Sequence, residues 1–163
     1  MSAGRRRVAA LAETLGALAI VAWVGGHAAL GAFAARIVFR DLPRAMAAPT
    51  MNSIFRSFDE LILAALIVLA IATVARVAAA GLERRADRVA LGAALGLLLV
   101  GALEIAYVHP SIEAMFVAGR TLEPEFASLH KLSERCGHVE VALAALWLGA
   151  LAWARASSAP AAA

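Results

Sequence analysis

The chain has 163 residues, of which 63% are hydrophobic and only 17% charged, with a mean hydropathy of +0.80. Soluble globular domains run nearer about 45–50% apolar and 25% charged, so this composition excludes one and points to a membrane protein. A formal charge of +3 beside a pI near 10.0 places arginines at the ends of apolar runs, where anionic lipid headgroups would meet them, and argues against nucleic acid as a partner.

Ala, Leu and Val supply most of the apolar mass, which suits helices rather than an alternating outer-membrane barrel. The expected fold class is therefore all-α: an integral membrane bundle of four transmembrane helices, with an interfacial helix in the first loop. One domain over residues 1–155 accounts for it, with spans of about 10–36, 59–82, 87–109 and 137–155, since a span needs about 20 apolar residues. The small-residue tail, 156–163, is expected to be disordered.

Residues 14–35 form an uncharged run preceded by Arg5, Arg6 and Arg7. This start also has the layout of a signal peptide, with small residues at "GAFAA", but the run is longer than the usual apolar core, so the first helix is expected to stay. "FRDLPRAMAAPTMNSIFRSFDE" carries Met51, Ile54, Phe55 and Phe58 at helical spacing, the basis for the interfacial helix. The second run, residues 61–82, is interrupted by Arg76, placed to snorkel toward headgroups beside "LERRADR". The third, residues 89–108, contains Glu104 and is expected to stop at Pro110. Residues 111–136 read as a second polar helical segment leading into the fourth run.

Four spans put both termini on one side. The tight 81–88 turn on that side holds three arginines, whereas the opposing cations are spread along two long loops, so short-loop charge density predicts cytoplasmic termini. The expected location is the cell inner membrane.

Several pieces resemble the transmembrane protein 205-like family: Trp23 and its following glycines, "FRDLPR" at 39–44, "IFRSF" at 54–58, Pro110, and "FASLHKLS" at 126–133. The family's bacterial members are filed as a domain of unknown function. The resemblance implies four spans and no established reaction. The sequence departs from the family's pattern where an asparagine six residues before the third-helix proline is Glu104, where another, seven after the motif histidine, is Gly137, and where a proline is Arg56.

Under the expected topology Asp59, Glu60, Glu104, His109, His130, His138 and Glu140 all fall toward the outer side, and His27 lies deepest. A carboxylate and an imidazole inside a membrane mark a functional site by default, sharing a proton or ligating a metal. The candidate metal ligands are thus His27, Glu104, His130, His138 and Glu140. The bland alternative is a buried Glu–His hydrogen bond between helices one and three. His130, Glu134 and His138 fall at i, i+4 and i+8 and read mainly as a solvated helix start. Cys136, the lone cysteine, reads as a packed small side chain, and haem lacks a second deep histidine.

Trp23 and Pro110 are expected to be structural, as is Glu13, paired with Arg76 or Arg88. The small-residue face of Gly92, Gly96 and Gly101 suits close packing against another helix, whether within the chain, in a second copy or in a membrane protein partner. No phosphate loop or catalytic triad is present in the sequence, so no enzyme and no cofactor are expected. The expected role is a structural or interaction bundle in the lipid bilayer. The alternative is a small protein that binds or transports a proton or metal cation through an outward-facing His/Glu cluster.

Overall fold

The computed structural model describes residues 2–157. Among them it holds four long helices and no strand: α1 (Ala3–Asp41), α2 (Arg44–Ala80), α3 (Arg85–Val117) and α4 (Pro124–Ala156). Each is long and apolar enough to cross a membrane. At 1.5 Å per residue, helices of 33 to 39 residues span roughly 50–58 Å, against about 30 Å of hydrocarbon, so each reaches well past the apolar slab.

Local chemistry sets the ends. The Ser2 side chain accepts from the Arg5 N–H at 3.4 Å and caps α1. Leu42 is extended ahead of Pro43, as the residue before proline prefers, and α2 begins directly after it. α2 ends at Gly81 with φ of +76°, a conformation costly for any residue with a Cβ. Glu123 precedes α4, whose first residue is Pro124, and Arg120 donates to both Glu123 oxygens at 2.7 and 2.6 Å. That ion pair holds the exposed Glu123 carboxyl below its usual range.

Two expectations need correction. The first-loop helix does not lie apart: residues 44–58 are the opening turns of an α2 that runs unbroken to Ala80, with Pro49 inside it. Ala47, Met51 and Phe58 are buried, so this stripe packs on the bundle instead of lying in an interface plane. Nor does Pro110 end the third helix. Residues 104–108 form a π-helical turn, in which the His109 N–H reaches back five residues to the Glu104 carbonyl, and the helix then continues to Val117. The widened turn accommodates a residue that can neither donate nor fit a regular turn behind it. The 111–136 segment is correspondingly split between the end of α3 and the start of α4. Of the tail, Ala156 belongs to α4, and residues 158–163 lie outside the described residues.

The helices pack as an up-and-down bundle, with α1 against α2, α2 against α3, α3 against α4, and α4 returning to α1. Trp23, Ile62, Leu69, Leu97 and Trp147 fill the middle. Glycine makes room for the aromatics: a Cβ on Gly101 would sit 2.6 Å from the Trp23 ring, and one on Gly26 would sit 2.4 Å from Phe58. Leu18, Val21, Ile67, Ile71, Val74 and Leu99 point outward and exposed, the arrangement a lipid solvent favours.

Candidate functional site

The apolar middle separates two polar layers, each built from all four helices. At the end that holds the termini, the Arg76 guanidinium donates to Glu13 Oε1 at 3.2 Å and to Asp87 Oδ1 at 2.5 Å, and Arg155 donates to Glu13 Oε2 at 2.7 Å. Two cations face two carboxylates. Arg76 does not snorkel: it is buried and turned inward, because buried Asp87 and partly buried Glu13 offset the cost of removing its charge from water. Glu13 pairs with Arg76 and Arg155 rather than with Arg88.

The layer toward the other end is different. α1 supplies His27, α2 supplies Asp59, α3 supplies Glu104 and His109, and α4 supplies Ser133 and Glu140. His27 Nδ1 lies 3.1 Å from Glu140 Oε2 and 3.9 Å from Glu104 Oε2. His109 Nε2 lies 3.8 Å from Glu104 Oε1, while its Nδ1 is 2.7 Å from Asp59 Oδ1. Ser133 Oγ donates to Glu104 Oε1 at 3.3 Å. The two imidazoles meet edge to face at 6.1 Å between centroids, and Phe58 covers His27 from 5.2 Å.

Glu104 and Glu140 are both 0% exposed. Both carboxyls turn an Oε2 toward the same His27 nitrogen. As carboxylates neither can donate, and Glu104 Oε2 and Glu140 Oε1 have no donor. Among the described residues no Lys or Arg pairs with Asp59, Glu104 or Glu140. Three acids therefore face two imidazoles where the opposite layer matches its charges.

The π-turn makes the α3 contribution. Five residues rotate a side chain by about 140° around an α-helix, which would point Glu104 and His109 apart. Bonding from i to i+5 brings the fifth residue back nearly over the first. Asp59 and His109 thus complete the cluster. A Glu and a His five apart have no pattern in an α-helical reading, and Asp59 passes for the polar start of an apolar run.

Of the candidates named from sequence, His27, Glu104 and Glu140 converge, whereas His130 and His138 do not join them. Both sit exposed along α4, where His130 bonds the Phe126 carbonyl through Nδ1 at 3.0 Å and rests against the Phe126 ring. Their side chains are exposed, but His130 lines the cavity that reaches Asp59 and His109, and His138 the one that reaches His27, while Glu140 points to the core. Cys136 is buried near the acids without belonging to the ligand group around Glu104.

Two cavities approach the cluster. One of about 130 Å³ is lined by Asn52, Arg56, Asp59, His109, Glu113 and Ser133, with the Arg56–Glu113 ion pair across its rim. The other, of about 360 Å³, reaches His27 between α1 and α4 past Val24, Ala28, Gly137 and His138. Phe55 and Ser133 border both.

A family model described as a domain of unknown function (DUF4149) matches residues 18–120, more than half of the chain. No curated protein and no solved structure matches the chain. The matched stretch contains Trp23, His27, Asp59, Glu104 and His109, and stops before the helix that brings Ser133 and Glu140.

Proposed function

We propose that this chain, which belongs to the DUF4149 family of domains of unknown function, is a multi-pass inner-membrane protein whose buried His/Glu cluster binds a cation, either a proton or a metal ion. The observation that carries this reading is the pair of fully buried, adjoining carboxyls, Glu104 and Glu140, each with an oxygen lacking a donor. Burying carboxylates without compensating charge costs several kcal/mol or more per group, and only imidazoles stand nearby. A cation from outside supplies the missing charge, and the two cavities give it routes to Asp59, His109 and His27. The role is binding or transport rather than catalysis.

The arginine-rich turn at 81–88 favours cytoplasmic termini, which puts the cluster in the outer half of the membrane. The resemblance to the transmembrane protein 205-like family belongs to the same reading, supported by the order of the matching pieces from Trp23 to "FASLHKLS".

A second reading, a structural or interaction bundle, is favoured by one fact: the contacts His27–Glu140, Asp59–His109 and Ser133–Glu104 tie all four helices together. Thermal unfolding of the purified protein after chelator treatment, across proton concentration and a panel of chloride salts, separates the two. The cation reading expects the midpoint of the wild type to respond to protons or to at least one cation, with that response lost in Glu104→Gln and Glu140→Gln. A midpoint that responds to neither, with both variants simply less stable, favours the structural bundle and sinks the cation reading.

A further inference from the structure

Resting on the cation reading, the geometry points to one divalent first-row transition-metal ion, of the zinc class, held by His27 Nδ1, Glu104 and His109 Nε2, with Glu140 beside the remaining position.

One ring nitrogen from each histidine and one Glu104 oxygen lie within 4.8 Å of one another. Nitrogens and oxygens about 2.0–2.2 Å from a common zinc ion stand roughly 3.3–3.5 Å apart, so the set closes on an ion by side-chain adjustment alone. Three helix positions supply these ligands, two of them aligned by the π-turn of α3. The donor chemistry narrows the ion. Two imidazoles with carboxylates suit zinc and its first-row neighbours, whereas magnesium and calcium take oxygen shells and soft copper(I) takes sulfur.

The surroundings are those of a supported metal ligand. Asp59 accepts the Nδ1 hydrogen of His109 at 2.7 Å, which leaves Nε2 as the ring atom turned toward Glu104. A carboxylate behind a histidine fixes its tautomer and raises its basicity as a ligand. Ser133 donates to Glu104 Oε1 and so holds that carboxyl in place, leaving Oε2 without a donor. A dication balances the charge of Glu104 and Glu140 together. Ligation through His27 Nδ1 takes the neutral ring with its hydrogen on Nε2, so a neutral ring protonated on Nδ1 shifts that proton to Nε2, and an imidazolium releases its Nδ1 proton to water. The 130 Å³ cavity ends on Asp59 and His109 and provides a polar path inward.

The test is a titration of the full-length protein, stripped with chelator and reconstituted in lipid nanodiscs, with cobalt(II) followed by visible absorption and then displaced by zinc(II). The expected result is one equivalent per chain with the absorption of a low-coordinate nitrogen–oxygen site. Glu104→Gln, which keeps size and shape, loses it, whereas His109→Ala and Asp59→Ala still load at higher metal, with binding weakened about 10–100-fold in Asp59→Ala. Glu60→Gln, at an exposed acid next to Asp59 in the chain, keeps it, and circular dichroism reports the helical content of every variant. Cobalt binding unchanged in a folded Glu104→Gln protein places the ion elsewhere and overturns the inference. No saturable binding by the folded wild type also overturns it. In that last case, a thermal midpoint that still responds to protons or another cation through Glu140 keeps the cation reading alive, and a midpoint that responds to nothing removes both.

Discussion

Asp59 on α2 and His109 on α3 meet with Oδ1 and Nδ1 2.7 Å apart, and this contact turns the other ring nitrogen of His109 toward the buried Glu104. A positioning contact and a packing contact predict different losses. Asp59→Ala, with its side chain 29% exposed, is expected to cost only about 1–2 kcal/mol of stability while loosening the ring. Asp59→Asn, which can still accept the Nδ1 hydrogen, restores most of the binding lost in Asp59→Ala. Parallel unfolding and titration experiments check this: equal losses of binding in both variants would assign Asp59 a role through its charge rather than through orientation.

The layer at the termini behaves in the opposite way, because its charges already match. Arg76→Ala leaves Glu13 and Asp87 without their buried partner and is expected to destabilise the bundle by about 3–5 kcal/mol. Adding Glu13→Gln and Asp87→Asn to Arg76→Met removes the uncompensated charge and recovers much of that loss. Thermal unfolding in one detergent compares them, and equal midpoints for the single and triple variants would contradict the account of this layer.

Close packing at Trp23 gives a third expectation. In Gly101→Ala the new methyl would lie 2.6 Å from the Trp23 ring and 2.9 Å from Leu66, an overpacking that costs about 1–3 kcal/mol. Gly92→Ala meets nothing within 4 Å and gains helix propensity, by up to about 1 kcal/mol. The two substitutions are chemically the same, so their opposite signs in an unfolding assay isolate the packing.

How far such features are legible in the sequence differs by layer. Four spans can be read directly, since a bilayer demands about 20 apolar residues for each, and the runs around Val21, Ile67, Leu97 and Trp147 supply them. Residues 44–58 show their helix in the apolar spacing of Met51, Ile54, Phe55 and Phe58, but that spacing reads as a separate interfacial helix, while Ala47, Met51 and Phe58 form a buried stripe continuous with the rest of α2. Of the cluster, His27, Glu104 and Glu140 stand out as ionisable groups in apolar runs. Periodicity assigns each a face, but not the rotation of one helix against another that brings His27 to Glu140. His109 escapes because its alignment with Glu104 depends on hydrogen bonding from i to i+5, and Pro110 reads as a stop rather than as the companion of a widened turn. His130 and His138 stand apart from the buried carboxyls, exposed on α4, and line the cavities that lead to His109 and to His27.

Orientation is checked independently. A green fluorescent reporter fused after residue 163 is expected to fluoresce in cells, and a phosphatase that matures only outside the cytoplasm is expected to be inactive there. The reverse pair of results would turn the bundle over and open the cluster to the cytoplasm.

The most direct measurement is zinc K-edge X-ray absorption on the zinc(II)-loaded protein in nanodiscs, because it reports the atoms around the ion. The account predicts a shell of about four light atoms at roughly 2.0–2.1 Å with the outer scattering of two imidazoles, falling to one in His27→Ala or in His109→Ala. An all-oxygen shell, or two imidazoles that persist in both variants, would contradict it.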